Sequence, residues 1–102
     1  MAQSTSKTKS IDKREYEVVT GLLRTLRLRA GLSQQALGEA LGRGQGFVSQ
    51  CELAGRRLDS LQVRDWCRAC GTTFSEFARR LDETLELLDS TAKVQKKKRR
   101  PG

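Results

Sequence analysis

Apolar residues along this chain recur at the 3.6-residue spacing of amphipathic helices, in five groups set apart by glycines and capping residues. The first group is Tyr16, Val19, Leu22, Leu23, Leu26 and Ala30. It follows Asp12, which stands three residues before Glu15 as in a capping box, and Gly31 closes it. Ser33 caps the second helix, where Gln34 and Gln35 form the first turn and Ala36, Leu37, Ala40 and Leu41 the inward stripe, up to Gly42. The third helix is short, Gln45 to Glu52, with Val48 and Cys51 as its apolar face and Phe47 beside them. A fourth starts at Asp59 or Ser60, carries Leu61, Val63, Trp66, Cys67 and Cys70, and ends at Gly71. The fifth is capped by Thr73 with Glu76 at the third position. Its stripe of Phe74, Phe77, Ala78, Leu81, Leu85 and Leu88 runs on past what one small domain needs. The predicted class is all-α.

Only Gly42-Arg43-Gly44 separates the second helix from the third, which is too short for anything but a sharp turn. Glycine at 42 and 44 supplies positive φ or a close backbone approach, as the turn of a helix-turn-helix unit requires. The third helix is followed by a basic loop, Leu53-Ala54-Gly55-Arg56-Arg57-Leu58. Residues 1–10 are polar and read as a flexible basic arm, residues 11–90 as the folded domain, and residues 91–102 as a disordered Lys/Arg tail.

Charge sharpens this division. The 102 residues carry a formal charge of +8, which favours polyanionic partners, nucleic acid first. Residues 1–10 hold two Lys and residues 93–102 six Lys or Arg with no acid, so the arms account for the whole excess. Residues 11–92 are neutral by count, with 12 bases and 12 acids.

The chain has no His, which removes His-based acid–base pairs, Ser-His-Asp and Cys-His arrangements, and His-containing zinc sites. No convergent acid, base or nucleophile remains, so no catalytic activity is expected and no cofactor is implied. Residues 1–10 lack the apolar run of a secretory signal, and no stretch approaches the length of a membrane span. A cytoplasmic protein with free thiols is therefore expected, with no membrane partner. Cys67 and Cys70 form a CxxC, but both fall on the apolar face of the fourth helix, as Cys51 does beside Val48 on the third. Three thiols without His make a poor zinc site, so core packing is expected and no metal site.

Between Leu22 and Phe77 stand, in order, Arg27, the run Gly31-Leu32-Ser33-Gln34, Leu37, Leu41-Gly42, then Phe47-Val48-Ser49, Glu52 and Arg56-Arg57-Leu58-Asp59. On these residues the segment resembles the XRE-type helix-turn-helix family, to which phage repressors of the Cro type also belong. It implies a five-helix bundle of the repressor-like type that binds double-stranded DNA, its third helix entering the major groove. In that frame Gln45, Gly46, Phe47, Ser49 and Gln50 face base edges, since glutamine pairs bidentately with adenine. Gln34, Arg43, Arg56 and Arg57 face phosphates, which fix register without reading sequence. The resemblance further implies a hydrogen bond from Gln34 to Gln45 and a structural ion pair between Arg27 and Glu52. The chain departs from the family at Ala54, where a glycine is usual, and at Gly38, where alanine is common.

The apolar stripe of the last helix suits a homodimer through Phe77, Leu81, Leu85 and Leu88, with Asp82, Glu83, Glu86 and Asp89 turned away from DNA. The function expected is a sequence-specific, autoregulating transcriptional repressor on a pseudo-palindromic operator. The alternative is an antitoxin-like protein that binds a protein partner through its C-terminal segment while its helix-turn-helix controls its own operon.

Overall fold

The computed structural model describes the backbone of residues 2–99 and the side chains of residues 13–90. Five helices follow one another: α1 (Ala2–Arg29), α2 (Gln34–Ala40), α3 (Gln45–Glu52), α4 (Ser60–Ala69) and α5 (Phe74–Arg99). The starts of α2, α4 and α5 are set by their caps. Ser33 Oγ accepts from the Ala36 amide, Asp59 and Gln62 form a reciprocal capping box, and Thr73 Oγ1 accepts from the Glu76 amide. Glu76 does not return that bond; its carboxylate is engaged by Arg79 and Arg80 on the exposed side of α5.

Two boundaries differ from the sequence pattern. The first helix begins at Ala2 and not at Asp12, and the last continues to Arg99, so most of the segments expected to be irregular are helical along the backbone. No proline or glycine interrupts residues 2–20 or 74–99. Extending an existing helix fixes one residue per hydrogen bond and carries none of the nucleation cost. The side chains of the arm and of the tail lie outside the described residues.

The core is built where four helices meet. Leu23 and Leu26 from α1, Leu37 from α2, Val48 and Cys51 from α3, and Val63, Trp66 and Cys67 from α4 are buried, with Phe77 of α5 closing the cluster. Trp66 is fully enclosed, and its indole N–H donates to the Leu23 carbonyl at 3.1 Å, so its single polar group is satisfied inside the core. Some expected positions fall elsewhere. Leu61 is 71% exposed, because the inward arc of α4 runs through Val63, Trp66, Cys67 and Cys70, and residue 61 lies across the helix from it. Ala30 and Ala78 are also exposed. Phe77, expected on the exposed stripe of the last helix, is only 4% exposed and belongs to the core of its own chain.

Cys51 and Cys67 are buried and Cys70 half-buried, all as free thiols. Burial pushes the Cys67 thiol from its ordinary value of 9.0 up to about 11. Among the described residues no group of His, Cys, Asp or Glu gathers to hold a metal, and no helix is long and apolar enough to cross a membrane.

Helix ends explain the glycines. α1, α2, α3 and α4 each finish with the paired backbone hydrogen bonds of a Schellman motif; for α2 these are Gly42 N–H to Glu39 O and Arg43 N–H to Gly38 O. The motif places one residue at positive φ. It is a glycine after α1, α2 and α4, but after α3 it is Ala54, at φ 65°. Gly44, by contrast, is extended, at φ −115°, and a Cβ there would meet nothing, so its contribution is not backbone freedom. It is the Gly44 carbonyl that matters: it sits against Gly38, where an added Cβ would lie 2.6 Å from the Gly44 oxygen and 2.7 Å from its carbon.

Substituting Gly38→Ala should therefore destabilise the fold by about 1–3 kcal/mol, because overpacking against backbone outweighs the roughly 1 kcal/mol gain in helix propensity. Ala54→Gly should act in the opposite direction, raising stability by about 0.5–1 kcal/mol as the left-handed strain is relieved and the added chain entropy partly offsets it. Urea unfolding of the two variants checks both signs. The raised Cys67 pKa gives a third expectation. The unfolded thiol ionises above about pH 9 while the folded one stays protonated to about 11, so stability is full below pH 9 and falls as pH rises to 11. The unfolding midpoint of Cys67→Ala should fall less steeply over that interval; an equal slope would count against this assignment.

Candidate nucleic-acid interface

The geometry of the helix-turn-helix begins at one buried node. Arg27 near the end of α1 donates from Nε to Glu52 Oε2 at 2.6 Å and from Nη2 to Glu52 Oε1 at 3.1 Å, while its Nη1 donates to the Leu32 carbonyl at 2.9 Å. Gln34, at the first position of α2, donates its amide to Glu52 Oε1 at 3.1 Å. The end of α1, the turn after it, the start of α2 and the end of α3 thus share one set of hydrogen bonds. The Arg27 and Glu52 side chains are only 9% and 4% exposed. Hydrogen bonding to Glu52 raises the Arg27 pKa further above its ordinary value, so the guanidinium stays charged. The expected ion pair is present; the expected hydrogen bond from Gln34 to Gln45 is replaced by the one to Glu52. A buried carboxylate with a free lone pair is the stronger acceptor for the same amide.

Packed in this way, α3 has two unlike sides. Val48 and Cys51 are buried, Phe47 and Ser49 half-buried, and Gln45, Gly46 and Gln50 exposed. Of the exposed side chains, Gln50 leans back over the loop, such that a Cβ added at Gly55 would lie 2.6 Å from its Oε1. Gln45 stands at the first position of α3, where Gly44 provides no side-chain cap.

Three arginines border α3, and each rests on an aromatic ring. Arg43, just before α3, lies 4.4 Å from the centre of the Phe47 ring, and Arg56, in the loop after it, 5.3 Å from the same ring. Arg57 lies 4.5 Å from the ring centre of Tyr16, whose hydroxyl also accepts from the Leu58 amide at 3.3 Å. In the sequence Tyr16 is one more apolar position of α1, and nothing local to it marks a partner forty-two residues away. The acids of α5, Asp82, Glu83, Glu86 and Asp89, are exposed. The remaining stripe of that helix, Leu81, Leu85 and Leu88, is half-buried, with Leu81 packed on the core.

Two short helices locked at a tight turn, the second exposing a polar face bordered by arginines, define a helix-turn-helix protein. Residues 19–81 match the family described as a helix-turn-helix domain. Among solved structures, the chain is similar to an XRE-family like protein from Pseudomonas syringae pv. tomato str. DC3000, with 38% identity and a TM-score of 0.71 over 76% of this chain and 95% of that one. Two structures of the clp gene regulator ClgR from Corynebacterium glutamicum share the fold. One has 20% identity and a TM-score of 0.67 over 80% of this chain and 87% of that one; the other has 21% identity and a TM-score of 0.62 over 69% and 91%. No curated protein matches the chain. The protein belongs to the XRE-type helix-turn-helix family, and its class is that of DNA-binding transcriptional regulators.

Because the node is buried, removing one partner leaves an uncompensated charge. Arg27→Met should cost about 3–5 kcal/mol, whereas Arg27→Met combined with Glu52→Leu should recover most of that loss. Chemical denaturation of the two variants measures the difference, and a double variant as unstable as the single one would contradict it.

Proposed function

We propose that the protein binds a pseudo-palindromic operator as a homodimer, with α3 of each copy in the major groove, and represses transcription from its own promoter. The observation that carries this reading is the division of α3 into a face fixed in the core and a polar face open to solvent. Gln45 and Gln50 offer the paired donor and acceptor that match adenine N6 and N7, Gly46 allows close approach, and Ser49 has reach to a neighbouring base or phosphate. Arg43, Arg56 and Arg57 supply phosphate contacts at either end of the helix. Gln34 reaches phosphate only with the part of its amide that Glu52 leaves free. Leu81, Leu85 and Leu88 keep part of their surface exposed along α5. A dimer formed there would cover that stripe and set two copies of α3 about 34 Å apart, one turn of duplex. Contacts limited to DNA repress by occupying the promoter, with occupancy set by the concentration of the protein itself, in the cytoplasm.

Selection of bound duplexes from a random pool should recover two inverted half-sites with centres about 10 base pairs apart. Gln45→Ala should relax preference at one position in each half-site by about 1–3 kcal/mol. A recovered motif without two-fold symmetry would sink the dimer. No recovered motif at all would sink sequence-specific recognition.

A further inference from the structure

Phe47 occupies a position from which the resemblance implies base contact, yet its surroundings assign it another task. The ring is half-buried, packed on the core from α3, and its remaining surface carries two guanidinium groups. Arg43 comes from the turn before α3 and Arg56 from the loop after it, so residues thirteen apart in sequence converge on one ring. Tyr16 does the same for Arg57 from α1, and its hydroxyl pins the backbone of that loop at Leu58.

We propose that Phe47 is a positioning residue of the DNA interface, an aromatic seat that holds Arg43 and Arg56 ready for phosphate and reads no base itself. This rests on the reading of Arg43 and Arg56 as phosphate contacts. The chemistry favours such a seat. A ring attracts a guanidinium through the flat face of the cation, which leaves the in-plane N–H donors unspent, and those same edge donors grip a phosphate. A carboxylate partner would occupy the donors instead. Among the described residues, Arg27, Arg79 and Arg80 are engaged by carboxylates, whereas Arg43, Arg56 and Arg57 have no such ion pair. An arginine side chain loses much rotamer freedom on binding, and a stacked one has already lost part of it. Tightening is then expected on every duplex alike, because phosphates are present at every sequence.

The test uses the full chain, a duplex recovered from the random-pool selection and a duplex of unselected sequence, with Kd measured against salt concentration. Phe47→Leu keeps apolar bulk and removes the ring; Phe47→Tyr keeps the ring. Phe47→Leu should weaken binding to both duplexes by the same factor. It should also lower the salt slope by up to about 2, since each phosphate contact contributes about 0.9. Phe47→Tyr should restore both. Thermal unfolding of each variant shows that the chain is folded at the binding temperature. If Phe47→Leu instead narrows the gap between selected and unselected duplex at an unchanged slope, Phe47 reads a base and the proposal is wrong. It is equally wrong if Phe47→Leu lowers the unfolding midpoint and leaves both binding curves alone. The double variant Arg43→Ala/Arg56→Ala separates the two levels. A slope lowered there but not in Phe47→Leu overturns the seat alone, whereas a slope unchanged in the arginine variant overturns the phosphate assignment beneath it.

Discussion

The Arg27–Glu52 pair is the constraint on which the rest of this structure depends. Three short segments that have little core of their own, the end of α1, the start of α2 and the end of α3, are fixed to one another by a single desolvated carboxylate. An ion pair so deeply buried contributes little net stability compared with an apolar packing of the same volume. What it supplies is direction: a bidentate guanidinium fixes both the distance and the rotation of its partner in a way that leucine packing does not. Because Glu52 is the last residue of α3, that direction is imposed on the helix which carries the polar face.

The opposite end of α3 is fixed by different physics. There the Gly44 carbonyl rests against Gly38, and the positive-φ glycine at 42 lets α2 end and the chain reverse within four residues. A helix of eight residues is marginal in isolation. Held at its first turn by backbone contact, at its last by charge, and along one side by Val48 and Cys51, it has its orientation determined at three separate points.

Much of this was legible in the sequence because the signals are local. Ser33, Asp59 and Thr73 mark helix starts by their own side chains, Gly31, Gly42 and Gly71 mark ends by the φ they allow, and α3 falls on the residues its short apolar face predicts. Arg27 and Glu52 are paired only by family resemblance, since nothing local links residues 25 apart in sequence. The misses have a common cause. Whether Phe77 faces its own core or a second copy, whether Gln34 turns to Gln45 or to Glu52, and whether Tyr16 is core or an anchor for the loop at 57–58 all depend on which element packs alongside. Periodicity reports which side of a helix is apolar and is silent on what covers it.

The contact between Gly38 and Gly44 has a further consequence. It is made by main chain on main chain, with no side chain between, so it has no rotamers through which it can adapt. Most helix pairs adjust their crossing when a residue between them changes size, and drift as sequences drift. This pair lacks that freedom. Divergence among chains that keep the glycine at 38 would then leave the angle at which α3 is presented almost untouched, and new preferences would have to arise by exchanging the outward side chains of a helix that stays where it is.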